Sequence, residues 1–308
     1  MSLLHLISNF PAGFFARNLL RFSSPARAAF WIHGSDSVSG VLMDGKSLTF
    51  DADLQRYAGA PLLLSPLAAK TPFEKQILAP YRLSRDAHFV FVVDQPGAIV
   101  SLVQTRKLGL ENVVQLRSTP VEALLPMSAP PDAFSWEILT AGMEALPEAG
   151  PVPESVIVVG LPKKLCWWAE KWVESLDGIL LSVLPSLLAE LWWCRAQGSP
   201  FVLLPGVPQS YLALFQNEKL QLLTRLPAAH LLFGSIVEPL VEEFRAEMQI
   251  NAGPLAVYPG SLSPNQFQSL LSRFKVPTVV LNPPGNHPRG SGAPAEASVL
   301  VTALEAAS

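Results

Sequence analysis

The sequence predicts a layered α/β protein of about two domains, and three observations carry that expectation. Its 308 residues suffice for about two domains with sizeable cores. Residues 155–195 read as a buried strand, a helix, a second short strand and a second helix, the alternation of a layered α/β fold. Residues 201–227, FVLLPGVPQSYLALFQNEKLQLLTRLP, then read as strand, turn and strand.

Taken in order, the first segment, MSLLHLISNFPAGFFARNLLRF, is apolar, but Arg17 and Arg21 follow its hydrophobic part, and Pro11 and Gly13 interrupt it. It does not read as a secretory signal. It reads first as a terminal helix packed on its own domain, and second as an amphipathic segment for a partner or a membrane surface. Three short strands follow at Ala28–His33, Val38–Met43 and Ser47–Phe50, with Gly34-Ser35-Asp36 and Asp44-Gly45 as the turns. Residues 52–85 mix helix and loop around four prolines. HFVFVV at His88–Val93 and the run Ile99–Gln104 have β propensity. A leucine-bearing helix is expected over 107–125, and a strand over Ser128–Pro131 and Phe134–Leu139.

Segment 142–154 reads as a loop. Trp167, Trp168, Trp172, Trp192 and Trp193 crowd the two helices that follow and read as core, given how much area tryptophan buries. Later come a helix at 236–248, strands at Leu255–Tyr258 and Val276–Leu281 with a helix from Pro264 to Phe274 between them, a Pro/Gly-rich loop at 282–297, and a last helix at 295–307.

Composition excludes several functions. A net charge of −3 and a pI near 6.0 give no basic surface for nucleic acid. The longest apolar stretch, Ile179–Cys194, is broken by Pro185 and Glu190 and falls short of the ~20 apolar residues of a membrane span. Cys166 and Cys194 form neither a CxxC nor a zinc spacing and read as buried thiols in a reducing cytoplasm. The chain has no GxxxxGK[ST] loop, no HExxH and no GxSxG. The five histidines are scattered, and Glu242, Glu243 and Glu247 read as a solvated helix face.

In their order, IHGSDSVS (Ile32 to Ser39), the segments 88–139 and 155–195, Leu204-Pro205-Gly206, the ending TRLP at Thr224–Pro227 and Tyr258-Pro259-Gly260 resemble the PilM family. These are actin-like cytoplasmic proteins of type IV pilus assembly, related to the cytoplasmic domain of GspL in type II secretion. The resemblance implies a two-lobed actin-like (ribonuclease H-like) α/β fold with an inserted small 1C-type subdomain. It divides the chain into an N-terminal segment (1–27), a first lobe (28–86 and 154–196), the insert (87–153) and a shortened second lobe (197–308).

In that family, two aspartates opening the DIG-type hairpins hold magnesium and phosphate, and a strand followed by S-G-G lies beside the nucleotide. Here Ile32 and Leu204 fall at the aspartate positions, and Pro259 replaces a glycine of the third motif. Gly34, Ser35, Asp36, Gly206 and Gly260 complete this degenerate pocket. Magnesium wants oxygen ligands, and proline removes an N–H that could bind phosphate. ATP and magnesium are therefore not expected to bind, and no catalytic or metal residue is assigned.

The function implied is that of a pseudo-ATPase scaffold, peripheral to the inner membrane. It would grip the cytoplasmic N-terminal peptide of a bitopic PilN-like partner through region 88–139 and the adjacent lobe. Homo-oligomer formation is left open. The alternative is an active ATPase of the same machinery, with Asp36 or Asp94 supplying the carboxylate.

Overall fold

The structure is a computed structural model. It describes residues 26–33, 37–44, 47–51, 87–94, 97–125, 130–174, 177–205, 209–226, 233–248, 253–258, 262, 264–281 and 294–307. Residues 1–25, 52–86 and 282–293 lie outside these residues, and so do the readings made on them.

The first sheet is built from β1 (Arg27–His33), β2 (Ser37–Asp44), β3 (Ser47–Asp51), β4 (His88–Asp94) and β8 (Ile179–Pro185), in the order β3-β2-β1-β4-β8. β1 to β3 form an antiparallel meander, whereas β4 and β8 run parallel to β1. Parallel strands covered on both faces need apolar side chains at every position, which accounts for the unbroken HFVFVV text. Phe89, Phe91 and Val93 pack to one side of β4 with Phe30 and Ile32 of β1. Val90 and Val92 pack to the other with Ala29 and Trp31.

The second sheet uses β9 (Phe201–Leu204), β10 (Ser210–Gln216), β11 (Lys219–Leu226), β12 (Leu255–Val257) and β13 (Thr278–Val280), in the order β11-β10-β9-β12-β13. It repeats the plan of the first: an antiparallel three-strand meander, then two parallel strands beside its first strand. The second lobe thus keeps a full five-stranded sheet.

A third sheet, β5-β7-β6, forms the insert from β5 (Ile99–Gln104), β6 (Phe134–Thr140) and β7 (Ser155–Pro162), all antiparallel. Two boundaries differ from the sequence division. β4, placed there in the insert, is the parallel neighbour of β1. β7, placed there in the first lobe, is the central strand of the insert, hydrogen-bonded to β5 and β6. Both strands read as short buried apolar runs, and such text does not say which sheet it joins.

The single helix expected over 107–125 is three short turns. A 3-10 turn at Thr105–Leu108 ends at Gly109 in the left-handed conformation, φ 64°. Helix α1 (Val113–Ser118) starts at Asn112, whose side chain accepts from the Gln115 amide at 2.9 Å. Pro120 then opens α2 (Val121–Leu124).

The remaining helices complete a layered stack. α3 (Lys163–Glu174) covers the outer face of the first sheet through Leu165, Trp168, Ala169 and Trp172. α5 (Phe233–Met248) and α6 (Pro264–Leu271) cover the outer face of the second through Val237, Val241, Phe267 and Leu270. Between the sheets lie α4 (Ser186–Ala196) and α7 (Pro294–Ala306), whose Leu188, Leu191, Trp193, Val299, Leu300 and Leu304 join inner-face residues of both sheets in one continuous core. α7 follows the second sheet in the chain, yet lies against β1, β2 and β4 of the first.

Candidate functional site

In open α/β sheets, ligands bind beyond the carboxyl ends of the parallel strands, where loops and helix N-termini gather. The ends that matter here are those of β1, β4 and β8 in one sheet and of β9, β12 and β13 in the other.

On the first sheet, Ile32 is the penultimate residue of β1, paired with Val38 and Val93 and only 2% exposed. Its side chain belongs to the core under α3, with Phe91, Leu161, Leu165 and Trp168. Asp94 ends β4 opposite His33 and is exposed. β8 ends at Pro185, which opens α4 with no side-chain cap. The first turn of α4 carries no acidic residue either, so its N–H groups and the positive end of its dipole meet no side-chain oxygen from the cap.

On the second sheet, Leu204 ends β9, pairs with Tyr211 and is 3% exposed in the core between the sheets. Tyr258 follows β12. Its amide donates to the Leu203 carbonyl at 2.9 Å, and its ring lies 5.3 Å from that of Trp193 on α4. Tyr258 thus fills the space beside the ends of β9 and β12 with an aromatic ring, a role that a strand-end reading of the sequence did not reveal. A signal was present: a large aromatic residue stands immediately before Pro259-Gly260.

Ile32 and Leu204 thus each lie near the carboxyl end of the first strand of its sheet, but on opposite faces, Ile32 in the outer core and Leu204 in the core between the sheets. Gly34, Ser35, Asp36, Gly206, Pro259 and Gly260 lie outside the described residues. The donor set at the two described positions does not fit a hydrated magnesium ion, because isobutyl and sec-butyl groups supply no oxygen and both are sealed in apolar cores. Among the described residues, no three His, Cys, Asp or Glu side chains are grouped so as to hold a metal.

The thiols are not poised as nucleophiles either. Burial pushes the Cys194 thiol well above its ordinary value, and the Glu190 carboxylate adds to the shift. Burial also raises Cys166, against a hydrogen bond with Ser135 that lowers it. Tyr211 is raised by burial as well, with Arg225 opposing. Reactive thiols need the opposite environment. The acidic cluster expected on the 236–248 helix is exposed at Glu242 and Glu243, and Glu242 pairs with Arg245 at 2.7 Å.

No known protein-family model matches this chain, and no curated protein does. Solved structures do. A PilM–PilN type IV pilus biogenesis complex matches at a TM-score of 0.58 and 15% identity, covering 94% of this chain and all of that one. A Bacteroides thetaiotaomicron protein with an actin-like ATPase fold gives a TM-score of 0.47 at 9% identity, over 84% of this chain and 91% of its own. The cytoplasmic domain of EpsL, an inner-membrane component of the Vibrio cholerae type II secretion system, gives 0.44 at 10% identity, over 91% and 95%. At such identities the first likeness shows the fold, which is the two-lobed actin-like one. Among the described residues no helix is long and apolar enough to cross a membrane.

Proposed function

We propose that this chain is an actin-like scaffold of a type IV pilus or type II secretion assembly platform that does not hydrolyse ATP. In this reading it works in the cytoplasm and is held at the inner membrane by a bitopic PilN-like protein. It would bind that partner's cytoplasmic N-terminal peptide beside the insert and the first lobe. One observation carries the reading: both five-stranded sheets are built, while Ile32 and Leu204, which the resemblance sets against the family's two aspartates, are buried in apolar cores. A chain that keeps the architecture and lacks the magnesium-side oxygens retains surfaces for assembly rather than for phosphoryl transfer.

Two titrations test it. Calorimetry of the purified protein with ATP and magnesium should show no heat at millimolar nucleotide. The cytoplasmic N-terminal peptide of a PilN-like bitopic protein should bind at micromolar concentration. A magnesium-dependent micromolar ATP signal would overturn the scaffold reading.

The second reading, an active ATPase, draws on Asp94, an exposed carboxylate at the end of β4 one residue past the partner of Ile32. If it holds, Asp94→Asn abolishes ATP binding without changing peptide affinity.

A further inference from the structure

The turn between β6 and β7 serves a purpose beyond joining two strands. It folds on itself, the Met143 amide donating to the Thr140 carbonyl and the Thr140 amide to the Glu144 carbonyl, each at 2.8 Å. Met143 sits at φ 63°, a left-handed conformation that residues other than glycine seldom adopt, yet its side chain is 3% exposed in the core between the sheets. A strained residue of this kind persists only where its surroundings over-determine it.

Three successive carbonyls of the turn accept hydrogen bonds from outside the insert. The Ala141 carbonyl accepts from the Leu220 amide of β11, at 2.8 Å, in the second sheet. The Gly142 carbonyl accepts from the Arg195 guanidinium, and the Met143 carbonyl from the Trp192 indole at 3.2 Å, both on α4. Arg195 also reaches the Glu144 carboxylate at 4.0 Å. Next to this turn, β5 lies against β11. At its other end the insert joins the first lobe without a loop, β7 ending at Pro162 and α3 starting at Lys163.

We infer that residues 140–144 are a latch that makes the insert follow the second lobe and α4. The insert is then held from both lobes, and a shift between the lobes reaches it through these three carbonyls. By reciprocity, a ligand on the insert that favours one lobe arrangement biases that arrangement.

The test uses the full chain with spin labels on introduced cysteines, since Cys166 and Cys194 are buried. One pair, Val114→Cys on α1 and Glu243→Cys on α5, spans insert and second lobe. A control pair, Lys171→Cys on α3 and Glu243→Cys, spans the two lobes; all three positions are exposed. In the double variant Arg195→Ala, Trp192→Phe, the insert-to-lobe distance distribution should at least double in width while the control stays unchanged. An insert pair that stays narrow overturns the latch, and so does equal broadening of both pairs. Should the double variant not fold, hydrogen exchange on the unaltered chain decides. The Leu220 and Met143 amides should open together, and rates more than tenfold apart would overturn the coupling.

Discussion

The outer faces of the two five-stranded sheets make an instructive pair. Strand order and strand directions are the same in both, but the filling differs. Over the first sheet, Phe30, Phe89, Phe91, Trp168 and Trp172 pack ring against ring, with Phe91 5.4 Å from Trp172 and 5.7 Å from Trp168 in edge-to-face contact. Over the second, the corresponding layer is mostly aliphatic, with Leu203, Leu212, Val237, Val241, Leu255 and Leu270 around Phe201 and Phe267. Among the described residues one helix, α3, covers the first face, whereas α5 and α6 share the second. Large rings let a single helix bury a whole sheet face, and two helices do the same with smaller side chains. Topology is thus set by turns and crossovers, while the chemistry of each layer varies around it.

The strongest way to break the comparison is to put a carboxylate at each of the two strand ends. Ile32→Asp and Leu204→Asp each place an unpaired carboxylate in a sealed core, and each should cost about 3–5 kcal/mol by urea unfolding. Neither should create ATP binding by calorimetry. Equal losses would mean that the outward core at Ile32 and the central core at Leu204 are equally closed, and a tolerated substitution would show that water reaches that strand end.

Next in size, Trp172→Ala should cost about 4 kcal/mol and Leu270→Ala about 3 kcal/mol, measured the same way. The difference gauges how much more the aromatic layer depends on single residues. Smaller still is Gly160→Ala, about 1–3 kcal/mol, because a Cβ at that position would overlap the Trp136 ring lying across the insert's sheet. Trp136→Leu in the same chain should recover most of that loss, and no recovery would place the strain in the backbone instead.

The smallest effect is a pH dependence. Both thiols are raised above the ordinary value of 9.0 in the folded protein. Their contribution is therefore whole below that value and is lost as pH rises through the folded pKa. Thermal melts should decline above about pH 9, and Cys194→Ala should flatten the decline more than Cys166→Ala.

Much of this architecture was legible in the text. β1 to β3 announced themselves by alternating strands and the Asp44-Gly45 turn, and α3 and α4 by the apolar and aromatic spacing of their sequences. The apolar residues at positions 32 and 204 were visible too, since a side chain's lack of oxygen needs no coordinates. Sheet membership was not legible for β4 and β7, because a buried apolar strand looks the same in any sheet. Nor was the 140–144 turn: it acts through backbone carbonyls, which every residue has, and through a left-handed methionine that no composition rule marks. Tyr258 stood in plain view, but its contact with Trp193 joins two distant parts of the chain.

The position of α7 has a consequence for how the protein is made. Ala29 and Trp31 of β1 leave the ribosome well over two hundred residues before Val299 and Leu300, which share their core. At ~5–20 residues per second, the inner face of the first sheet waits on the order of tens of seconds for the helix that lies against it. During that interval Ala29 and Trp31 lack the cover that α7 gives them in the finished protein. Yield in the cell should therefore respond to holding chaperones and to translation speed more sharply than the stability of the finished protein would suggest.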